Sequence, residues 1–326
     1  MDVKAKMKNN GKIMSLSEAA SLVKDGDQVT LGGFTSSRNP MALVREIIRQ
    51  GRKELYCVAH SHGQDLDLLI GAGCVMRVEI AYGAVARFAP TAIRFRKAVC
   101  AGQIEVEDYT NLQMTLRFMA GAMGLPFIPT VSGLETDIVK IPGFPEESRG
   151  KGKVSKYKLK IIKNPLDEED GNVVLLPPLN PDVALLHAQY AGEDGTIRIK
   201  GLTFADLEEA KAANKVIVSC EEILPTEYLR QDPDQNSLPH FLIDAVVHVP
   251  FGAHPTSCLY FYDYDPRHLA LYRKMASDDA GFQRYLDEWV YPFDTQEQYL
   301  TKVGMEDLFR IKANPVLGYK PGLDRR

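Results

Sequence analysis

Asp25-Gly26-Asp27 turns the chain into a short apolar stretch, Gln28 to Leu31, which runs into Gly32, Gly33 and Phe34. Paired glycines at a strand end leave bare backbone that a ligand can approach closely, with N–H groups free to donate. In an open α/β sheet, ligands bind at the carboxyl ends of the strands. Ser36, Ser37 and Arg38 follow at once, and Pro40 then opens a helix. Two hydroxyls, a guanidinium and a helix start suit a carboxylate or a phosphate. A tight strand-to-helix turn with no ligand fits the same residues equally well.

A second polar segment, His60-Ser61-His62-Gly63-Gln64, is expected to form a loop after a strand at Leu55 to Ala59. It holds groups able to hydrogen-bond an acid or an acyl oxygen, though a plain loop is the competing reading. No third ligand stands at useful spacing, so no metal site is expected. Ser132, after the apolar run Leu125 to Pro129, is a further candidate for the pocket. His187 and Gln189 close another buried strand; they reach a pocket or an interface, or simply satisfy backbone groups. His254, in a Gly-rich turn, reads as structural, and Glu105 and Glu107 as surface acids. Arg94, Arg96 and Lys97 read as a solvated helix face. The alternating Tyr260, Tyr262 and Tyr264 predict an extended stretch packed at an interface. No GxGxxG occurs, and Gly71-Ala72-Gly73 follows a helix, so phosphate-loop motifs fail.

These residues need a frame. Ser15 with Glu18 is a capping box ahead of a helical stripe at Leu16, Ala19, Ala20 and Val23. Strands are expected at Gln28 to Leu31, Leu55 to Ala59, Val75 to Ala81, Leu125 to Pro129, Val183 to Leu186, Val216 to Ser219 and Ala245 to Val249. Helices are expected after Pro40, at Leu66 to Ile70, Tyr109 to Met123 and Phe204 to Ala213. Such alternation predicts an α/β fold: an open, mainly parallel sheet covered by helices. Residues 135–171 carry many Gly, Pro, Lys and acids, including the run Asp167 to Asp170, and read as a surface insertion within one domain spanning 1–326. Residues 266–326 read as a helical C-terminal extension.

Composition sets the class. The 326 residues are 45% hydrophobic and 25% charged, ordinary for a globular protein. A net charge of −4 without a dense basic run argues against nucleic-acid and membrane surfaces. The Lys4, Lys6, Lys8 and Lys12 start reads as a solvated terminus. The 5 cysteines show no CxxC spacing, which predicts free thiols and a reducing cytoplasm. Neither a signal peptide nor a membrane-spanning run is visible.

The Asp-Gly turn, apolar strand, Gly-Gly-Phe and nearby Pro resemble the signature of family I CoA transferases. That signature usually has Gly two residues before the Pro; Arg38 stands there instead, as in the A subunits of the glutaconate type. The resemblance continues in order through Asp65 to Gly73, Arg94 to Lys97, Glu107-Asp108-Tyr109 and Gly124 to Phe127. It goes on through His187-Ala188-Gln189, Asp194-Gly195-Thr196, Cys220 to Ile223, Gly252 to Pro255, Tyr262 to Asp265 and Glu288-Trp289-Val290. The His60 to Gln64 segment departs from that type, which has small residues there.

The resemblance implies the A-type half of a heteromer, paired with a B-type subunit of similar fold. A glutamate of that B-type subunit would attack an acyl-CoA thioester, and CoA would move to a short carboxylic or dicarboxylic acid. CoA is then a substrate, with no metal or redox cofactor. The nucleophile's Glu-Asn-Gly motif is missing here; Glu169-Asp170-Gly171 and Glu193-Asp194-Gly195 match only in spelling. This chain would complete the pocket with Gly32, Gly33, Phe34, Ser36, Ser37, Arg38, His60, Ser61, His62, Gln64, Ser132, His187 and Gln189. Two other readings stand beside it: one half of a related hydrolase that cleaves a CoA-linked ring, and a non-catalytic CoA-binding or assembly protein.

Overall fold

The computed structural model describes residues 11–167, 169 and 171–324. Lys4, Lys6 and Lys8 of the Lys-rich start, and Glu168 and Asp170 of the acidic run, lie outside the described residues. The first helix, α1 (Leu16–Ala20), is closed by the expected capping box: Glu18 N–H donates to the Ser15 hydroxyl, and Ser15 N–H to the Glu18 carboxylate at 2.9 Å. Strand β1 (Gln28–Leu31) follows with every residue buried, then α2 (Met41–Arg49) with Pro40 at its N-cap. The next elements are β2 (Leu55–His62), α3 (Gln64–Gly71), β3 (Val75–Gly83), α4 (Ile93–Cys100), β4 (Glu105–Asp108) and α5 (Asn111–Ala122). Then come β5 (Ile128–Thr130), α6 (Asp137–Lys140), β6 (Lys160–Lys163), β7 (Asn172–Leu176), β8 (Val183–Gly192) and β9 (Ile197–Arg198). The remainder is α7 (Asp206–Ala212), β10 (Lys215–Leu224), α8 (Thr226–Gln231), β11 (Ala245–His248), α9 (Pro266–Ala276), α10 (Asp279–Trp289), α11 (Gln296–Val303) and α12 (Met305–Ile311).

The main sheet has the order β11-β10-β8-β1-β2-β3-β4, parallel throughout, with β9 antiparallel on β8. The predicted open, mainly parallel α/β sheet is therefore present. Strand order runs outward from β1 in one direction through β2 to β4, and in the other through β8 to β11. The crevice between β1 and β8 is thus the point where the winding reverses, the place such sheets bind ligands.

Several expectations need correction. The run at Leu125 to Pro129 is not a buried strand: β5 starts at Ile128, and Phe127 is half exposed, because this stretch edges a separate antiparallel sheet, β5-β7-β6. Glu107 is not a surface acid. Residues 143–149 fold back over β4, so it is buried, accepting the Gly143 N–H at 2.6 Å and Arg149 at 2.8 Å. The segment from Tyr260 to Tyr264 is not extended. Cys258 and Tyr262 face each other across a tight turn, Tyr260 is left-handed at φ 73°, and Tyr262 stacks on Phe251 within the chain.

The excursion at 135–171 divides by burial. Val139, Phe144 and Val154 enter a core cluster with Tyr56, Tyr109 and Phe118, whereas β6 is wholly exposed. The C-terminal helices cover α3: Tyr272 donates to Asp67 at 2.6 Å, and Phe282 fills the space beside Gly71. Among the described residues no helix is long and apolar enough to cross a membrane.

Candidate functional site

At the end of β1, Gly33 has φ 91°, a conformation glycine adopts without cost. A Cβ there would lie 2.5 Å from the Ser37 carbonyl oxygen. The loop therefore closes on itself, with Phe34 and Ser37 exchanging backbone hydrogen bonds of 2.9 and 2.8 Å. Ser36 and Ser37 are half-buried on its outer side.

Arg38 does something the sequence did not reveal. Its guanidinium is buried and ion-paired with Asp206 at the start of α7; it also donates to the carbonyls of His187 at 3.0 Å and Leu202 at 2.9 Å. The other oxygen of Asp206 accepts the Gly33 N–H at 2.8 Å. One carboxylate thus ties both ends of the Gly33–Arg38 loop to the segment before α7. Beside it Glu209 is buried, and burial together with the Asp206 charge pushes its carboxyl well above the ordinary range. Asp206 was missed because its partner lies 168 residues away.

The expected polar loop at His60 to His62 is corrected: these residues extend β2, pairing Ser61 with Tyr82 and His62 with Gly83 of β3. Alternation along the strand sets Ser61 apart from the two histidines. His60 lies against Phe34, ring centroids 5.8 Å apart, and Phe34 stacks on Phe204 at 4.9 Å. Burial, with the neighbouring His62 ring, pushes the His60 imidazole down to about 4, so it is neutral at pH 7. Among the described residues its Nδ1 has no hydrogen-bond partner. Ser61 instead reaches Asn111 at 2.8 Å, and Ser132 meets the neighbouring Thr110 at 3.0 Å, so these two sit together at the N-terminus of α5.

His62 and Gln64 turn into the body and are fully enclosed. His62 Nδ1 pairs with Asp65 at 2.7 Å, and Gln64 donates to the Tyr285 hydroxyl at 2.8 Å. Burial alone would raise the Asp65 carboxyl, but the His62 ring holds it below its usual value. Neither side chain presents an atom to an open crevice.

His187 and Gln189 do not close a strand; β8 continues to Gly192. His187 is enclosed, meeting Ser219 at 2.9 Å and Glu221 at 2.8 Å. Glu221 also accepts the Phe251 N–H at 2.7 Å and the Tyr262 hydroxyl. Burial, then the Glu221 charge, pushes the Tyr262 hydroxyl far above its ordinary value. His187, Glu221 and Cys258 place possible metal-ligand atoms all within 4.8 Å of one another. The hydrogen bonds already engage both nitrogens of His187 and both oxygens of Glu221, which makes this a closed polar network.

Gln189 is a clamp. Its amide nitrogen donates to the carbonyls of Lys200 at 3.0 Å and Leu259 at 3.1 Å, and its oxygen accepts the Lys200 N–H at 3.0 Å. Ser257 N–H donates to the Ser36 carbonyl at 2.9 Å, and Arg38 N–H to the Ser257 carbonyl. Three segments, 36–38, 200–204 and 257–259, are thus pinned around one concavity beside the β1/β8 crevice. Thr35, Arg38, Phe204 and Tyr260, which belong to or adjoin these walls, are all left-handed without being glycine. Costly backbone of this kind persists where surrounding contacts over-determine it, as around ligand clamps.

A family model described as coenzyme A transferase matches residues 13–249, which include β1, the loop and the crevice. The chain belongs to the coenzyme A transferase family. As a CoA transferase chain it is 40% identical, over 94% of its length and 97% of the relative's, to the A subunit of glutaconate CoA-transferase from Acidaminococcus fermentans. It is 32% identical to the A subunit of 3-oxoadipate CoA-transferase from Pseudomonas knackmussii, over 85% of this chain and 93% of that one. The crystal structure of the Acidaminococcus fermentans glutaconate enzyme superposes with a TM-score of 0.91, covering 94% of this chain and 98% of that chain.

Proposed function

We propose that this chain is the A-type half of a heteromeric CoA transferase, working with a B-type subunit that carries the nucleophilic glutamate. The supporting observation is the likeness along nearly the whole chain to the A-type halves of such enzymes, joined to a sequence without Glu-Asn-Gly. The partner's carboxylate attacks the thioester carbonyl and expels CoA thiolate, leaving an acyl–glutamyl anhydride. The thiolate then attacks the glutamyl carbonyl and releases the first acid. A second carboxylate repeats the exchange in reverse and leaves with CoA. Acyl exchange of this kind changes no oxidation state and so needs no redox cofactor; the reading includes no metal, and CoA is a substrate. The compartment we assign is the cytoplasm.

In this reading Ser36 and Ser37 face the reacting acid, and Gly32, Gly33 and Phe34, whose N–H groups are bonded to Leu185, Asp206 and Ser37, shape the loop that presents them. His60, kept neutral, hydrogen-bonds an acyl oxygen without adding charge. Arg38, His187 and Gln189 act by holding walls. Ser61 and Ser132 bound the crevice on the β2 side, and His62 and Gln64 support β2 from beneath.

The test is CoA transfer from acetyl-CoA or glutaryl-CoA to a panel of short acids, with this chain alone and with the B-type subunit co-expressed. Transfer only with both subunits, with CoA recovered on the added acid, is the expected result. Free CoA without an acceptor would instead show thioester hydrolysis, and the ring-cleaving hydrolase type would be identified by opening of the ring of a cyclic acyl-CoA with its thioester kept. Transfer by this chain alone would refute the placement of the nucleophile.

A further inference from the structure

At the amino ends of β3 and β4, the sheet edge opposite the crevice, α3, α4 and α10 border a second concavity that the transfer reaction leaves unused. Gly71, Gly73, Ala98 and Ala101 line it with almost no side chain, and its volume is about 490 Å³. The charged residues lining it are Arg94, Lys97 and Asp279, two cations and one acid. Arg94 and Lys97 stand three residues apart on α4, which puts them on one face. Arg94 is not the solvated residue its sequence suggested: its side chain is 13% exposed, with the guanidinium 4.6 Å from the Phe282 ring centroid. Its buried Nε has no hydrogen-bond partner among the described residues.

Asp279 marks where an anion sits. One of its oxygens meets both Arg94 Nη1 at 2.7 Å and Lys97 Nζ at 2.9 Å, and Lys97, then Arg94, holds the carboxyl below its usual range. Yet the Asp279 side chain is 78% exposed, and ion pairs so open to water contribute little. Asp279 is also the first residue of α10, whose amide end favours negative charge. The carbonyl ends of α3 and α4, which would repel an anion, are engaged. Lys53 donates to Ala72 at 3.4 Å and Gly73 at 3.1 Å, and the carbonyls of Lys97, Ala98 and Val99 accept the N–H groups of Ala101, Gln103 and Gly102.

We propose that this concavity binds the phosphate group of a small phosphate monoester, with Asp279 as a tethered stand-in that the ligand displaces. A dianion neutralises Arg94 and Lys97 together, which one carboxylate does not. Charge-assisted bonds from a guanidinium and an ammonium are those that phosphate oxygens take. Asp279, already mostly in water, loses little on leaving. The site takes no part in the transfer chemistry.

The test is calorimetric titration of the assembled two-subunit enzyme with inorganic phosphate and with glycerol 3-phosphate. Arg94→Gln and Lys97→Gln should each weaken binding at least about tenfold, the range for hydrogen bonds to charged groups. Asp279→Asn removes the tethered competitor and should tighten binding about two- to fivefold, the worth of an exposed ion pair. No saturable binding, unchanged binding in Lys97→Gln, or unchanged or weaker binding in Asp279→Asn would overturn the proposal. Lys97 is the decisive position, because its side chain is 36% exposed and its loss leaves the packing intact. The phosphates of CoA itself are the other source of this chemistry. If 3′,5′-adenosine bisphosphate fills the site, acyl-CoA empties it, and Lys97→Gln raises the KM for acyl-CoA, the site belongs to the substrate and the proposal falls. The expected result is a KM for acyl-CoA within about twofold of wild type, below the effect of losing a hydrogen bond to a charged group.

Discussion

Arg38→Met removes one half of a buried ion pair. The side chains of Arg38 and Asp206 are only 4% and 1% exposed, so water does not screen the charge that remains. Glu209, which adjoins Asp206, is itself an acid and supplies no cation to compensate the carboxylate left behind. The carbonyls of His187 and Leu202 also lose their donor. Breaking a buried pair from one side costs about 3–5 kcal/mol. That is a large part of the roughly 5–15 kcal/mol of a typical domain. Urea unfolding of the purified chain measures it. Asp206→Asn strands the guanidinium and should cost a similar amount while keeping an acceptor for Gly33 N–H. The double variant carries no stranded charge, so it should be more stable than the sum of the single losses predicts, by about 2 kcal/mol or more. An Arg38→Met chain within about 1 kcal/mol of wild type, or additive losses in the double variant, would refute the assignment of Arg38 to the loop's architecture.

Two further outcomes follow from the same geometry. Gly33→Ala combines a left-handed φ with a Cβ 2.5 Å from the Ser37 oxygen, so the loop must open and CoA transfer by the assembled enzyme should fall at least about tenfold; unchanged kinetics would mean the loop's closure is irrelevant to the site. His268 is fully enclosed, and burial with the nearby His254 pushes its imidazole down to about 3, so the unfolded chain takes up a proton near pH 6.5 that the folded chain refuses. Stability should therefore decline as pH falls from about 6.5, this residue contributing up to about 1.4 kcal/mol per unit; His268→Gln should flatten the slope, and equal slopes in both proteins would argue against a buried neutral His268.

Whatever depends on neighbours in sequence was legible. The Asp-Gly turn and the Gly-Gly stop bracket β1 without error, and Ser15 with Glu18 marks the first helix, because caps and turns are local hydrogen-bonding decisions. Strand ends drawn from apolar runs came out short. Residues after Ala59 and Leu186 are polar, yet they stay extended because β3 and β10 continue to pair with them, as Ser61 does with Tyr82 and Tyr190 with Glu222. A hydropathy pattern reports which side chains are buried; it does not report where a backbone ladder stops.

That distinction also explains how the site was misjudged. His60 and His62 look alike in sequence, two imidazoles two residues apart. On a strand they share a face but not a depth: His60 remains beside the crevice against Phe34, and His62 lies under α3 against Asp65. Arg38 looked like the anion-binding group because its motif is local, whereas Asp206, which neutralises it, reaches it only through the β8 crossover. Arg38, inside the motif, and Gln189, far from it on β8, both spend their polar atoms on the backbone of the walls, a role fixed by contacts that no local pattern encodes.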